Sequence, residues 1–333
     1  MRMSIIAEGN KKTGFGHITR CLAIGQAFEK KGVSVQYIIN GDETIKELLF
    51  GTKHEIFDWI IDQEQLSGLL QGSEINLIDS YLAPLEIYQN ISRLNGLLVS
   101  YDDNNRLPYP AGMVLNGALY AELLDYPRHP QITYLLGNTY LPLRKSFWRV
   151  SPKVIRKKVK NILVTFGGDD LRDMTPKVID MLALKYPTVA KTVVIGRAFK
   201  SAAVNRNKRY VNTNFVLYPD AQTMKKLMQQ ADIAVSAAGQ TLYELAAIGT
   251  PMIGVGIIEN QAQNLRACSD AGIILSAGWF DDKNILEKLD FCVKQLLPFN
   301  NRADRSRLGR KAVDGLGSRR IANKILEILN EKN

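Results

Sequence analysis

Residues 4–20 read Ser4-Ile5-Ile6-Ala7-Glu8-Gly9-Asn10-Lys11-Lys12-Thr13-Gly14-Phe15-Gly16-His17-Ile18-Thr19-Arg20. A short apolar run gives way to glycines and then to an amphipathic stretch over residues 18–31, and a second apolar run follows at 33–39. Strand, glycine turn, helix, strand is the βαβ unit of a parallel sheet. The same alternation carries outward along the chain, with strand-length runs at 75–78, 96–101 and 113–116. Between 141 and 160 it is interrupted by Pro142, Pro152 and the basic run Arg156-Lys157-Lys158. It then restarts, with strands expected at 161–166, 192–195, 215–217, 233–236 and 252–255, a helix near 175–184, and a mainly helical tail over 284–333. These patterns predict an α/β chain of two Rossmann-like, doubly wound lobes facing a cleft. Residues 1–148 form the first lobe, and 149–333, C-terminal helices included, the second.

Composition narrows the class. With 333 residues and 46 % hydrophobic content the chain is long enough for two buried cores and too apolar for a disordered one. The net charge of +10 implies an anionic partner, which leaves nucleic acid, an anionic membrane surface and phosphorylated metabolites as classes to weigh. Cys21, Cys268 and Cys292 are odd in number and far apart, a pattern that excludes a disulfide framework or a Cys-x-x-Cys metal site and fits a reducing cytoplasm. The first ten residues lack the apolar core of a signal peptide, and the longest apolar region, 231–258, is broken by Asp232, Gln240, Glu244 and Pro251. Cytoplasmic residence is the expectation.

Three strand-to-helix turns carry the chemistry. In Thr13-Gly14-Phe15-Gly16-His17-Ile18-Thr19-Arg20, the glycines permit close backbone approach and the helix start attracts anions. The dinucleotide fingerprint is absent, because His17 stands where that motif continues toward a third glycine. His17 is either part of a tight turn or, with an imidazole suited to proton transfer near neutral pH, a general base. The second turn, Thr165-Phe166-Gly167-Gly168-Asp169-Asp170, offers Gly167 and Gly168 to a ligand, with the acids as helix caps or as an acid/base pair. In the third, Ser236-Ala237-Ala238-Gly239-Gln240-Thr241-Leu242-Tyr243-Glu244, small residues leave room for a diphosphate over a helix N-terminus. Glu244 either accepts hydrogen bonds from ribose hydroxyls or complements the helix dipole.

The order Gly14-x-Gly16-His17-x-x-Arg20, Gly167-Gly168-x-Asp170 and Ser236-Ala-Ala-Gly239-x-Thr241-x-x-Glu244, then Gly249-x-Pro251 and Asn260-Gln261, resembles the GT-B superfamily over nearly the whole chain. Within it the chain is similar to the UDP-sugar hydrolases of pseudaminic acid biosynthesis and to related spore-coat polysaccharide proteins. The resemblance implies a UDP-sugar substrate, hydrolysis at the anomeric carbon with inversion, and His17 as the base that activates water. An inverting glycosyltransferase is the alternative. It implies neither a metal nor a redox cofactor. Gly14, Phe15, Gly16, Arg20, Asp79, Tyr81, Asn116, Asn260 and Gln261 then face the substrate. Gly167, Gly168, Ser236, Ala237, Ala238, Gly239, Gln240, Thr241 and Glu244 hold the nucleotide, with backbone N–H groups near 238–241 as anion donors. For Asp79-Ser80-Tyr81, Asp102-Asp103 and Asn116 a turn or capping role stands beside the ligand role. Two positions depart from the hydrolase pattern: Ile6-Ala7-Glu8 replaces Arg-x-Asp, and Ser80 replaces His.

His54 and His129 have no neighbour at metal-ligand spacing, and neither a Gly-x-Ser-x-Gly elbow nor a Walker motif occurs. The basic stretches 153–160 and 302–311 carry no interleaved aromatics, so a solvated helical face or peripheral association with an anionic membrane is expected there rather than nucleic acid. A non-catalytic nucleotide-sugar-binding protein or a nucleic-acid-binding protein remains the reading from another class. A monomer is expected.

Overall fold

A computed structural model describes residues 1–10, 14–196, 199 and 210–332. Thr13 of the first glycine turn and Asn333 of the tail lie outside the described residues. The chain divides into two units, one formed by 1–145 together with the segment from Leu316 onward, the other by 146–315.

The first unit is a seven-stranded parallel sheet in the order β3-β2-β1-β4-β5-β6-β7. Its strands are β1 (Arg2–Gly9), β2 (Ser34–Gly41), β3 (Lys53–Ile56), β4 (Ile75–Asp79), β5 (Leu97–Tyr101), β6 (Gly112–Asn116) and β7 (Ile132–Leu136). Helices α1 (Gly16–Glu29), α2 (Gln63–Leu70) and α3 (Leu85–Ser92) supply crossovers. Strands buried on both faces read as unbroken apolar runs. Thus Ile6, Ile38, Ile78, Leu98 and Val114 form one core with Leu66 and Leu70 of α2 and Ile87, Tyr88 and Ile91 of α3.

The second unit is a six-stranded parallel sheet ordered β10-β9-β8-β11-β12-β13. It comprises β8 (Asn161–Thr165), α4 (Met174–Lys185), β9 (Ala190–Ile195), β10 (Thr213–Leu217), α5 (Ala221–Gln230), β11 (Ile233–Ala237), α6 (Gln240–Ile248), β12 (Met252–Gly256), α7 (Ala262–Asp270), β13 (Ile274–Trp279), α8 (Ile285–Leu296) and α9 (Phe299–Ala312). Ile162, Val164, Val193, Ile195, Val235, Ile253 and Val255 pack with Val178 and Leu182 of α4 and Leu289, Val293 and Leu296 of α8.

The last helix, α10 (Gly317–Lys332), belongs to the first unit, not to the second lobe of residues 149–333. It packs on α1 through buried Ile321, Ala322 and Ile325, and Ser318 Oγ donates to Leu143 O at 2.9 Å. An apolar helical face goes where an unfilled apolar surface lies, which local sequence does not encode.

In each sheet the first strand in sequence stands third in the order, with later strands added on both sides of it. The order reverses between β1 and β4 in one unit and between β8 and β11 in the other. Such a switch point, at the carboxyl ends of the strands, is where α/β sheets open a crevice for ligands.

Candidate functional site

At the switch point of the first sheet, β1 and β4 run in register with Ala7 beside Asp79. The chain leaves β1 through Gly14, whose φ of +83° requires glycine, and enters α1 at Gly16. Among the described residues a Cβ at Gly14 or Gly16 would meet nothing within 4 Å. One residue into α1 stands His17, and one turn further Arg20.

These two side chains meet the carboxylate that ends β4. His17 Nδ1 lies 2.6 Å from Asp79 Oδ1. Arg20 clamps the same carboxylate, with Nε donating to Oδ2 at 2.5 Å and Nη2 to Oδ1 at 2.5 Å. Its Nη1 reaches both oxygens of Asp103 at 2.8 and 2.9 Å, and its guanidinium lies 4.0 Å over the Tyr101 ring. Asp79 is fully buried. Burial pushes its carboxyl up, but the Arg20 charge, then His17 and their hydrogen bonds, outweigh burial and hold it well below the ordinary value. Nδ1 also lies 3.2 Å from Arg20 Nη2, but the ionised carboxylate at 2.6 Å can only accept, so the imidazole proton is assigned to Nδ1 and Nε2 keeps its lone pair. Among the described residues Nε2 has no hydrogen-bond partner.

Tyr81 completes the cluster. Its ring stands edge-on to His17, with centroids 4.5 Å apart, and its hydroxyl donates to Asp103 Oδ2. Burial, and then the negative charge of Asp103, push the Tyr81 phenol upward, so it stays a donor. The two departures from the hydrolase pattern turn out to be one bonded unit. Glu8 accepts from Ser80 Oγ through Oε2 and from the Tyr81 backbone N–H through Oε1 at 2.7 Å. Ser80 Oγ in turn accepts the N–H groups of Leu82 and Ala83 at 3.0 and 2.9 Å.

The neighbouring candidates separate by role. Asp102 is a structural hub that accepts from the hydroxyls of Tyr109 and Tyr126 and from the N–H groups of Asn105 and Arg106. Asn116, expected to face the substrate, instead gives its amide to Tyr126 Oη at 3.1 Å and takes the Ala118 N–H at 3.0 Å. Arg20, expected as a substrate contact, is bound within the protein through all three guanidinium nitrogens. Tyr101 and Glu8 are the members that sequence reasoning left out of the site, and Asp103 was carried only as one of the strand-end pair Asp102-Asp103. Only for Asp103 was there a signal, its position at a strand end.

In the second unit the loops after β8, β11 and β12 share the carboxyl edge, with Ser236 in register beside Thr165. Gly167 has φ +83°, and among the described residues nothing lies within 4 Å of where a Cβ would stand. Asp170 takes the capping role: its two carboxylate oxygens accept the N–H groups of Met174 and Thr175 at 2.9 and 2.8 Å. Gly239 precedes the first turn of α6, and Gln261 Nε2 is 3.5 Å from where its Cβ would lie. Gln261 Oε1 accepts the Ile257 N–H at 3.1 Å, which fixes the amide with its NH2 toward that helix start. Gln261, expected to face the substrate, stands beside Gly239 at the start of α6. Asn260 is exposed, whereas Ser236 and Glu244 are buried. Within the expected 238–241 donor set the Ala238 N–H is spent on Val255 O at 2.9 Å.

Two parallel-sheet α/β units, each with its polar cluster at the switch point, define a fold of the GT-B glycosyltransferase type. The comparisons agree. Residues 161–307 match the family described as glycosyltransferase family 28 C-terminal domain. MurG of Acinetobacter baumannii superposes with a TM-score of 0.68 at 15 % identity, covering 98 % of this chain and 99 % of that one. The spinosyn rhamnosyltransferase SpnG, solved with thymidine diphosphate, gives 0.68 at 11 % identity over 99 % and 100 %.

Among curated relatives, the spore coat polysaccharide biosynthesis protein SpsG of Bacillus subtilis is 23 % identical over 100 % of this chain and 99 % of its own length. The pseudaminic acid cytidylyltransferase and UDP-2,4-diacetamido-2,4,6-trideoxy-beta-L-altropyranose hydrolase of Helicobacter pylori is 25 % identical over 82 % of this chain. An uncharacterised protein of Methanocaldococcus jannaschii is 26 % identical over 81 %. The chain spans 48 % of the H. pylori protein and 58 % of the M. jannaschii protein.

Proposed function

We propose that this protein is a nucleotide-sugar enzyme that hydrolyses a UDP-linked 2,4-diacetamido-2,4,6-trideoxy sugar. The observation that carries the reading is the buried His17–Asp79 pair at the first switch point, with Nδ1 held by the carboxylate and Nε2 left as a base. In the proposed step Nε2 takes a proton from water as the water oxygen bonds to the anomeric carbon. The bond from that carbon to the diphosphate oxygen breaks with its electron pair, UDP departs, and the configuration inverts. A diphosphate is a good leaving group, so the step needs a base for the nucleophile and donors for the departing charge. Gly167, Gly168, the first turn of α6 and the Gln261 amide are the residues we assign to the nucleotide, with Glu244 toward the ribose. The H. pylori relative, named for hydrolysis of such a sugar, supports this assignment.

A second reading has its own support. The family 28 match and the glycosyltransferase neighbours favour sugar transfer, in which His17 would deprotonate an acceptor hydroxyl in place of water.

The deciding experiment follows UDP release and sugar anomer by NMR with the UDP-linked sugar and no acceptor. Hydrolysis predicts rapid release, lost by a factor of about 10²–10⁴ in His17→Ala and His17→Asn while UDP affinity stays within a few fold. UDP binding without release would point to a glycosyltransferase awaiting its acceptor or to a different UDP-sugar.

A further inference from the structure

Asp103 does not bond to His17, yet it belongs to the same buried cluster. Arg20 is shared between two carboxylates, Asp79 on one side and Asp103 on the other. Tyr81 bridges back from Asp103 to the face of His17. Among the described residues the charged and titratable groups around the imidazole are Arg20 and Cys21 on α1, Asp79 and Tyr81 at the end of β4, Tyr101 and Asp103 at the end of β5, and Glu8 on β1, which is engaged by Ser80 and Tyr81.

We propose that Asp103 is a positioning residue that acts on His17 at one remove, through Arg20 and Asp79, by keeping the cluster one negative charge in excess. With Asp79 alone, the Arg20 cation would cancel the carboxylate, and the imidazole would face a neutral pair with little reason to accept a proton. With Asp103 present, one cation serves two anions even before Glu8 is counted. Proton uptake by His17 then brings the His17, Arg20, Asp79 and Asp103 group to neutrality. The same bonds fix the carboxylate plane of Asp79, so that Oδ1 faces Nδ1 and Nε2 keeps its direction. The consequence for turnover rests on the reading of His17 as the base; the electrostatic coupling does not.

The test is a pH titration of the imidazole signals by 1H–15N NMR on the full chain. It holds three histidines, and His17 is assigned by its loss in His17→Asn. Asp103→Asn and Asp103→Ser remove the charge; Asp103→Glu keeps it. Both neutral variants should move the His17 titration midpoint to lower pH, as loss of a nearby negative charge favours the uncharged ring. The Nδ1–H tautomer should persist, because Asp79 still accepts. Asp103→Glu should titrate like the wild type. In the turnover assay the neutral variants should lose kcat while KM changes less than threefold. A folded neutral variant with an unmoved midpoint overturns the proposal, as does failure of both to fold, which would make Asp103 a strut. Because the NMR readout needs no substrate, a missing UDP release with the shift present would sink the hydrolase reading and leave this one standing.

Discussion

Asp79 shows how much one buried group can hold together. It accepts from His17 and twice from Arg20, and a neutral amide in its place would offer a single accepting oxygen. Asp79→Asn should therefore lose about 10²–10⁴ in turnover, because an Asn can present its NH2 to Nδ1 and favour the wrong tautomer. It should also cost on the order of 3–5 kcal/mol in stability through the uncompensated Arg20. The folded-state carboxyl lies below its unfolded value of 3.8, so its stabilisation is complete above that pH and fades as pH falls toward the folded value. Melting curves of wild type and variant should accordingly differ most near neutrality and converge in strong acid. A gap that stays constant with pH would remove the ion pair as the cause. At this scale His17 was legible because two glycines precede it at a strand end. Asp102 and Asp103 were not distinguishable, since adjacent residues past a strand diverge and only the fold decides which one meets Arg20.

Elements tell a different story. Asp170 caps α4 from three residues ahead of the N-cap position Asp173, with both carboxylate oxygens occupied by backbone N–H groups. Asp170→Ala should cost about 1–2 kcal/mol in chemical denaturation and leave UDP affinity unchanged. A large loss of affinity at intact stability would return the residue to the ligand. The strands missed in the sequence are β3, β7 and β13, and all three are sheet edges. An edge strand buries less surface, so β3, with the sequence Lys53-His54-Glu55-Ile56, and the half-exposed β7 and β13 lack the unbroken apolar run that marks a central strand. The basic run in α9 was likewise opaque. Arg302 is fully buried and donates to the carbonyls of Arg156 and Lys157, Arg305 to those of Gly272 and Ile274, and Arg310 to those of Val150 and Ala247. Lys153 and Arg156 similarly bind carbonyls at the end of α5. Much of the positive charge in these stretches therefore holds loop and helix ends inside the second unit.

For the molecule as a whole, the return of α10 to the first unit makes a prediction that the linear domain boundary would not. Deleting residues from Leu316 onward should destabilise the first unit, since buried Ile321 and Ile325 are each worth about 1.5–3 kcal/mol. It should leave the second unit's fold and UDP affinity intact. Hydrogen exchange resolved by peptide would show faster exchange in α1 and β1; equal loosening in β8 and β11 would contradict the assignment. Among the described residues no helix is long and apolar enough to cross a membrane, and the apolar region 231–258 is the β11-α6-β12 unit. Apolar runs alternating with amphipathic stretches were enough to give two parallel α/β sheets and the three glycine turns, because strand burial and helix periodicity are local patterns. Which carboxylate meets His17, that Glu8 and Ser80 are bonded, and where α10 docks depend on contacts between residues 62 to more than 170 positions apart, and only the folded chain brings those together.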